Sequence, residues 1–229
     1  MKYQDITAKM SKQKKIQNQK QQGYELQKEV WDLIAGGWTS FRQKPLGVVE
    51  DFAKEWKPGK ILDVGCGNCR NLKPFADLKF DCYGIDFSKN MVSVAKDFLK
   101  KHNIQAKVYV EKAEKLPFKD NSFDYVLALR VIPCILTEKE RSKALDEVKR
   151  VLKKNGKAII TIWNKTNFKY LLSKKEALVP WRKKDRTLIR YYYLYSPAEI
   201  TKILVEKGFK ILRTSNPLKE EFYAVVQNA

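Results

Sequence analysis

Five apolar runs alternate with helix-like segments between residues 60 and 163, and this alternation restricts the fold more than any other feature. The runs are KILDVG (60–65), FDCYGID (80–86), KVYVE (107–111), FDYVLAL (123–129) and KAIITIW (157–163). Apolar strands separated by helices are typical of a parallel sheet that is covered on both faces. The pattern therefore predicts an α/β fold with helices on both faces of the sheet.

The surrounding segments predict the remaining elements. Ser88 is placed to cap a helix over 89–101, a longer helix covers about 137–153, and a helix begun by a proline covers 45–56. The closing runs FKILRT and FYAVVQ predict an antiparallel C-terminal hairpin that completes a seven-stranded, mostly parallel sheet. Residues 1–22 predict a basic flexible arm, and residues 23–229 predict one domain with a basic insertion over 164–190.

The charge of the chain indicates the class of its partners. Lys and Arg number 46 against 26 Asp and Glu, a formal net charge of +20. Such a field attracts polyanions, so nucleic acid is the first partner class expected and an acidic membrane surface the second. No stretch approaches the roughly 18 apolar residues of a membrane span. No secretory signal is recognisable, and four cysteines in 229 residues do not indicate a disulfide scaffold, so we expect a cytoplasmic protein.

The first predicted strand ends in a glycine-containing loop, Asp63-Val64-Gly65-Cys66-Gly67-Asn68. Glycines at this place let the backbone turn sharply and approach a ligand at the edge of the sheet. Taken alone the loop also suits a dinucleotide, but Arg70 stands where the dinucleotide fingerprint expects a third glycine. Asp86 closes the second strand about twenty residues later, where a carboxylate can accept hydrogen bonds from ribose hydroxyls.

Four motifs, D-V-G-C-G-N, G-I-D-F-S, A-E-x-L-P-F and S-F-D-Y-V-L, resemble in order and spacing the class I S-adenosylmethionine-dependent methyltransferases, which have a Rossmann-like fold. The resemblance implies S-adenosylmethionine as the cofactor. In that family Asp63 would face the amino group of the methionine moiety, Asp86 would hold the ribose, and Glu114 would flank the adenine. The full set of cofactor-binding residues that the resemblance implies is Asp63, Gly65, Cys66, Gly67, Asn68, Asp86, Phe87, Ser88, Ala113, Glu114, Leu129 and Arg130.

Two further segments resemble a narrower subgroup, the tRNA wobble-uridine carboxymethyl methyltransferases, including the methyltransferase domain that is fused to an AlkB-like oxygenase. The segments are VWDLIAGGWTSFRQKPLGVVEDF (30–52) and the pair LVPW (178–181) with RYYYLYSPAEI (190–200). The resemblance implies esterification of the carboxylate of 5-carboxymethyluridine at the wobble position of tRNA, with neither DNA nor a membrane as a partner. It also implies that the insertion over 164–190 binds substrate.

The implied reaction requires positioning of the acceptor and no general base, because a carboxylate is already ionised at neutral pH. Arg42, Arg190 and Tyr191 are the residues that we expect to position the acceptor. Further substrate-binding candidates lie in the same segments; the substrate-binding set is Trp38, Arg42, Trp181, Arg190 and Tyr192. Cys66 and Cys69 have C-x-x-C spacing but no second pair and no nearby histidine, so no metal site is predicted.

Several positions depart from the subgroup. Cys69 replaces a glycine, which we expect to narrow the space over the methionine moiety, and Trp31 replaces a tyrosine. Histidines of the subgroup are replaced by Pro133-Cys134 and Tyr193. The resemblance also implies a small zinc-binding activator subunit, for which the edge strand KVYVE is the expected docking place.

Two other functions remain open at this point. A small-molecule methyltransferase of the quinone or lipid type shares the core motifs. A catalytically silent RNA-binding scaffold subunit with a vestigial pocket would retain the fold and the charge.

Overall fold

The computed structural model describes residue 23 and residues 25–229, and the predicted basic arm over 1–22 lies outside them. The helices are α1 over residues 25–41, α2 (Gly47–Glu55), α3 (Lys73–Asp77), α4 (Lys89–Lys101), α5 (Glu138–Val151) and α6 (Pro197–Glu206). The strands are β1 (Lys60–Val64), β2 (Asp81–Asp86), β3 (Ala106–Val110), β4 (Phe123–Leu129), β5 (Leu152–Trp163), β6 (Glu176–Arg182), β7 (Thr187–Tyr193), β8 (Phe209–Thr214) and β9 (Glu221–Asn228).

The main sheet has seven strands in the order β3-β2-β1-β4-β5-β9-β8. Strands β1 to β5 pair in parallel, whereas β9 pairs antiparallel with both β5 and β8. The direction of the strand order reverses between β1 and β4. Ligands bind such sheets beyond the carboxyl ends of the strands at this reversal. The predicted fold class, a mostly parallel seven-stranded sheet with an antiparallel C-terminal hairpin, is confirmed.

Side chains alternate between two hydrophobic cores, one on each face of the sheet. In β4, Val126 and Ala128 join the core beneath α5 and α6, and Leu127 and Leu129 join the core beneath α2, α3 and α4. All four side chains are buried, which explains why the second half of this strand, residues 126–129, is an uninterrupted apolar run in the sequence. None of the described helices is both long and apolar enough to cross a membrane.

Helix α1 is fixed over the carboxyl edge of the sheet. Ile34 of this helix packs on Met91 at the start of α4. Asp32 accepts hydrogen bonds from the Ser88 hydroxyl at 2.6 Å and from the backbone N–H of Asn90 at 3.1 Å. These contacts place α1 directly beside the predicted cofactor loop.

The basic insertion contains structure that the sequence did not predict. Strands β6 and β7 form a separate antiparallel hairpin, in which Trp181 faces Leu188 across the strands. Both side chains pack against α1. The helix predicted over 45–56 is corrected at its start, because it begins at Gly47 after an N-cap at Leu46 and so excludes Pro45.

Candidate cofactor and acceptor site

The loop after β1 needs glycine at two positions. Gly65 has φ +69° and Gly67 has φ +54°, in the left-handed region that disfavours residues with a Cβ. A Cβ at Gly65 would lie 2.6 Å from Cγ2 of Val131, which belongs to the loop after β4. The two loops can approach each other only because position 65 has no side chain.

Asp86 joins this loop to the end of β2. Its carboxylate accepts hydrogen bonds from the backbone N–H groups of Gly67 and Ser88, both at 3.0 Å. Burial raises the pKa of Asp86 to about 6, and the two N–H groups partly oppose that effect. A buried, oriented carboxylate at the reversal of the strand order suits a ribose.

An apolar cavity with an acidic rim lies on the β3 side of this carboxylate. Its lining is Gln27, Gly65, Ile85, Asp86, Phe87, Glu111, Lys112, Ala113, Glu114, Val131, Cys134, Ile135, Leu136 and Glu140. Burial raises the pKa of Glu114. An apolar slot with acceptors at its rim suits a purine base, and it contains the predicted pair Ala113-Glu114.

A second cavity continues from the first past Gly65, Asp86, Phe87, Val131 and Cys134, which line both. The other residues lining it are Trp31, Trp38, Arg42, Leu46, Cys66, Gly67, Asn68, Arg70, Asn71, Met91, Leu129, Arg130, Trp163, Arg190 and Tyr192. The two cavities together form one trough across the carboxyl ends of β1, β2 and β4.

Asp63, in β1 two residues before Gly65, lines neither cavity and is an unpaired buried carboxyl group. Within the described residues neither of its carboxyl oxygens has a hydrogen-bond partner. Burial raises its pKa to about 8, although the charge of Arg70 acts in the opposite direction. An unpaired buried carboxyl of this kind suits an ammonium group of a ligand.

Arginine side chains dominate the second cavity. Arg130 is held by Glu221, whereas Arg42, Arg70 and Arg190 make no ion pair with the described residues. Burial lowers the pKa of Arg70 to about 10, and the charges of Arg130 and Arg42 act in the same direction. The cavity therefore has the electrostatics of a site for anions.

Arg190 is held among aromatic rings. Its guanidinium carbon lies 5.2 Å from the ring centroid of Trp181, 5.6 Å from that of Tyr192 and 5.9 Å from that of Trp38. The guanidinium donates a hydrogen bond to the Tyr192 hydroxyl at 3.2 Å, and its Nε is buried without a partner among the described residues. The residue is only 8% exposed, so this cation is ordered and largely desolvated.

The structure places two of the predicted site residues outside both cavities. Tyr191 lines neither cavity, because successive side chains of β7 point to opposite faces and Arg190 and Tyr192 occupy the cavity side. Its hydroxyl instead donates to Glu176 at 3.1 Å. Ser88 also lines neither cavity, because its hydroxyl donates to Asp32 and accepts the N–H of Met91 as the cap of α4.

The position of Cys69 differs from the expectation that it narrows the space over the methionine moiety. Its backbone is left-handed, with φ +64°, and its side chain is buried in the core beneath α2, α3 and α4. The sulfurs of Cys66 and Cys69 lie 3.0 Å and 3.2 Å from where a Cβ of Gly84 would be. Cys69 therefore fills the space that a glycine leaves in β2.

The other replaced positions are distributed as follows. Trp31 and Cys134 line the trough, whereas Pro133 is buried outside it. Tyr193 also lies outside, where its hydroxyl donates to Glu199 at 2.8 Å. Trp181 reaches the site only through its ring contacts with Trp38 and Arg190.

Sequence reasoning missed several residues of the site. Arg70 was noted only as a missing glycine, yet it lines the cavity beside Asp63. Trp163 ends β5, so the rule that ligands gather at the carboxyl ends of strands could have found it. Gln27 gave no signal, because it reaches the trough by hydrogen bonds to the backbone of Ile189 and Tyr191, which are distant in sequence.

The sheet order, the glycine loop after β1 and the acidic residue that ends β2 define a Rossmann-like cofactor domain of the class I methyltransferase type. A family model described as a methyltransferase domain matches residues 62–160. A solved S-adenosylmethionine-dependent methyltransferase from Clostridium acetobutylicum ATCC 824 has the same fold, with a TM-score of 0.69 at 14% identity over 86% of this chain and 98% of that chain.

Curated relatives extend the match. The Xenopus tropicalis protein named tRNA (carboxymethyluridine(34)-5-O)-methyltransferase alkbh8 is 35% identical over 66% of this chain and 24% of that protein. A Schizosaccharomyces pombe protein named tRNA (carboxymethyluridine(34)-5-O)-methyltransferase is 27% identical over 80% of this chain and 88% of that protein. An uncharacterised Methanocaldococcus jannaschii protein is 32% identical over 76% of this chain and 75% of that protein. The chain spans between 24% and 33% of the length of the first curated relatives it matches.

Residues 62–160 are therefore a methyltransferase domain, the fold is that of the class I methyltransferases, and the cofactor that this fold implies is S-adenosylmethionine. The residues present fit this molecule. The apolar slot suits the adenine, Asp86 suits the ribose, and the unpaired carboxyl of Asp63 beside Arg70 suits the charged amino acid end.

Proposed function

We propose that this protein transfers a methyl group to the carboxylate of 5-carboxymethyluridine at the wobble position of tRNA and so forms a methyl ester. Arg190 carries the proposal. A buried guanidinium that has no acidic partner among the described residues, in a cavity continuous with the cofactor slot, is a receptor for an anionic acceptor. Because a guanidinium fork matches a carboxylate, it also orients that acceptor.

The chemistry needs little else from the protein. When bound, S-adenosylmethionine would supply an activated methyl group for the acceptor carboxylate, with S-adenosylhomocysteine as the leaving group and no proton to be transferred. The one histidine of the sequence, His102, follows the last residue of α4, at the end of that helix away from Ser88 and the cofactor loop. A site without a histidine is consistent with an acceptor that is ionised before it binds.

Side chains from three parts of the fold position the acceptor and exclude water. Trp31 and Trp38 come from α1, Trp163 ends β5, and Tyr192 comes from β7. Trp163 and Tyr192 stack with centroids 4.2 Å apart, which fixes one wall of the cavity. A dry, ordered wall favours displacement at the methyl carbon, since orientation and removal of water are the main requirements of this reaction.

The relatives support the choice of acceptor. The Schizosaccharomyces pombe protein, which is named for carboxymethyluridine in tRNA, matches 80% of this chain. The net charge of +20 suits an RNA substrate. A small neutral acceptor would explain neither the net charge of the chain nor the lack of an acidic partner for Arg190 among the described residues.

Mass spectrometry of nucleosides tests the proposal. tRNA from cells that lack this gene is incubated with the protein and labelled S-adenosylmethionine, and we expect label in an alkali-labile methyl ester on a uridine. Arg190→Met serves as the matched control, because it removes the guanidinium and keeps an apolar side chain of similar length. Cofactor binding without label in tRNA would exclude this acceptor and leave a small molecule or a protein.

We also propose that a small zinc-binding activator docks at β3. This strand is one of the two edge strands of the main sheet, the other being β8, and Tyr109 and Val110 are about two-fifths exposed there. An added strand would pair its backbone and cover those side chains. Co-expression with the candidate partner should increase soluble yield and activity, and a fully soluble, fully active isolated chain would contradict this proposal.

A further inference from the structure

A groove lined by basic residues opens from the second cavity between the α1–α2 loop and the cofactor loop. Its lining is Phe41, Arg42, Gln43, Lys44, Pro45, Leu46, Arg70 and Arg130. No acidic side chain lines this groove. Four residues of the groove also line the second cavity: Arg42, Leu46, Arg70 and Arg130. A ligand in the groove can therefore extend into that cavity.

The α1–α2 loop that forms one side of the groove is held in place. The side-chain amide of Asn68 donates to the carbonyl of Arg42 at 2.7 Å, and the N–H of Leu46 donates to the side-chain oxygen of Asn71 at 3.1 Å. Both contacts come from the cofactor loop and the turn that follows it. The positive side chains of the groove are therefore presented from an ordered backbone that does not need to fold around a ligand.

Phe41 adds a second, independent feature. It is the last residue of α1, and its side chain is 75% exposed at the groove. Among the described residues the ring pairs with one other aromatic ring, that of Trp181, with centroids 6.2 Å apart and planes at 72°. One face of an aromatic ring is thus open to solvent directly beside Arg42 and Lys44.

We infer that this groove binds a single-stranded polynucleotide segment next to the acceptor nucleotide, with a base stacked on Phe41 and the adjoining phosphates on Lys44 and Arg42. Proteins bind single-stranded nucleic acids through exposed aromatic side chains beside cationic ones, because every base has a face that can stack on a ring and every phosphodiester carries a negative charge. A duplex cannot use Phe41 in this way, since its bases are already stacked. The inference rests on the proposed function, because it supplies the path by which a looped RNA would deliver its acceptor to Arg190.

Direct RNA binding tests the groove separately from methyl transfer. Fluorescence anisotropy with an anticodon stem-loop RNA is measured for the wild-type chain, Phe41→Ala, Phe41→Leu and Phe41→Trp. Loss of one stacked base predicts roughly tenfold weaker binding for the alanine and leucine variants and retention for the tryptophan variant. A duplex RNA of equal length should bind all four proteins alike.

Salt dependence tests the phosphate contact. Lys44→Gln should lower the slope of log affinity against log salt by about 0.7, the value for one contact to a single strand. Lys101→Gln is the matched control, because Lys101 is exposed at the far end of α4. Lys101→Gln should change neither this slope nor the cofactor affinity.

Unchanged stem-loop affinity in both Phe41→Ala and Lys44→Gln would overturn the inference, as would an equal loss for duplex RNA. If the wild-type chain forms no methyl ester in tRNA, that result contradicts the proposed function but not RNA binding by the groove. The anisotropy series still decides whether the groove binds single-stranded RNA.

Discussion

Arg130 and Glu221 form a two-point ion pair, with Nε to Oε1 at 2.7 Å and Nη2 to Oε2 at 2.6 Å. The pair joins the end of β4 to the start of β9 across the end of β5. Hydrogen bonding to Glu221 raises the pKa of Arg130, although burial acts in the opposite direction. Arg130 therefore forms a wall of the site and is not a free anion receptor, which distinguishes it from Arg190.

Breaking this pair should cost stability and leave the chemistry intact. Glu221→Gln keeps the shape and removes the charge, so the free energy of unfolding should fall by about 1–2 kcal/mol for a pair that is about one-quarter exposed. Chemical denaturation measures the loss. Turnover should remain within about threefold of the wild-type rate, and a hundredfold loss would contradict the assignment of Arg130 to the wall.

Removing Arg190 should separate stability from activity. A buried cation without an acidic partner lowers stability, so Arg190→Met should raise the free energy of unfolding of the cofactor-free protein. The same change should lower kcat/KM for the carboxylate acceptor about 100-fold, because a charge-assisted fork is lost. Calorimetry should find cofactor affinity unchanged.

Arg190→Lys distinguishes a specific fork from a simple charge. A lysine keeps the charge but neither the planar stacking on Trp181 nor the two-point contact, so it should recover only a small part of the activity. Full activity of the lysine variant would show that Arg190 acts as a point charge.

Asp63 should make cofactor affinity depend on pH. Its pKa of about 8 means that the carboxyl is protonated at neutral pH in the protein without cofactor, whereas an ammonium group beside it favours ionisation. Binding should therefore release a proton and tighten between about pH 6 and pH 7.5. Calorimetry in two buffers of different ionisation enthalpy measures that proton, and Asp63→Asn should abolish it and weaken binding about 10- to 100-fold.

The same carboxyl gives a stability test with a defined sign. Its pKa in the folded chain lies above the unfolded value near 4, so the unfolded chain loses its proton first as the pH rises. Stability of the cofactor-free protein should fall progressively from about pH 4 to pH 8. Asp63→Asn should flatten this dependence and be most stabilising, relative to the wild type, near pH 8.

Cys69→Gly should leave cofactor affinity within about twofold, because the sulfur lies in the core and not over the methionine moiety. Glycine removes the strain of a left-handed backbone at position 69, which should raise the free energy of unfolding by about 1 kcal/mol. It also leaves a small cavity, which should lower that free energy by a similar amount. Cys69→Ala creates the cavity and keeps the strain, so it should be less stable than the glycine variant in thermal unfolding. A fivefold change in the cofactor affinity of Cys69→Gly would instead support the expectation that Cys69 narrows the space over the methionine moiety.

The main sheet was predictable because its strands are buried on both faces. The runs 123–129 and 209–214 match β4 and β8 in both bounds, since a strand buried or ended by turns leaves a local signal in the sequence. The hairpin of β6 and β7 was not predictable. One of its faces is exposed and includes Leu178, Pro180 and Ile189, so the stability of the hairpin comes from contacts of its other face with α1, which is remote in sequence.

The candidate site, like the fold, was predictable only where the sequence carries a local signal. Gly65 and Asp86 were found because they occupy fixed places after a strand, where topology alone gives the position. The choice between Tyr191 and Tyr192 needed the register of β7, which the sequence does not contain. Arg70 needed the fold of a short turn that buries its side chain beside Asp63.

The hairpin of β6 and β7 pairs with no strand of the main sheet. Arg190, which we propose binds the acceptor, is therefore carried on a module whose backbone hydrogen bonds are separate from those of the main sheet. Substitutions in the hairpin can accumulate without disturbing the strands that bind S-adenosylmethionine. Divergence of acceptor preference among proteins with this architecture should accordingly be concentrated in the hairpin and in α1, and exchange of these two segments between relatives is a direct route to new methyl acceptors.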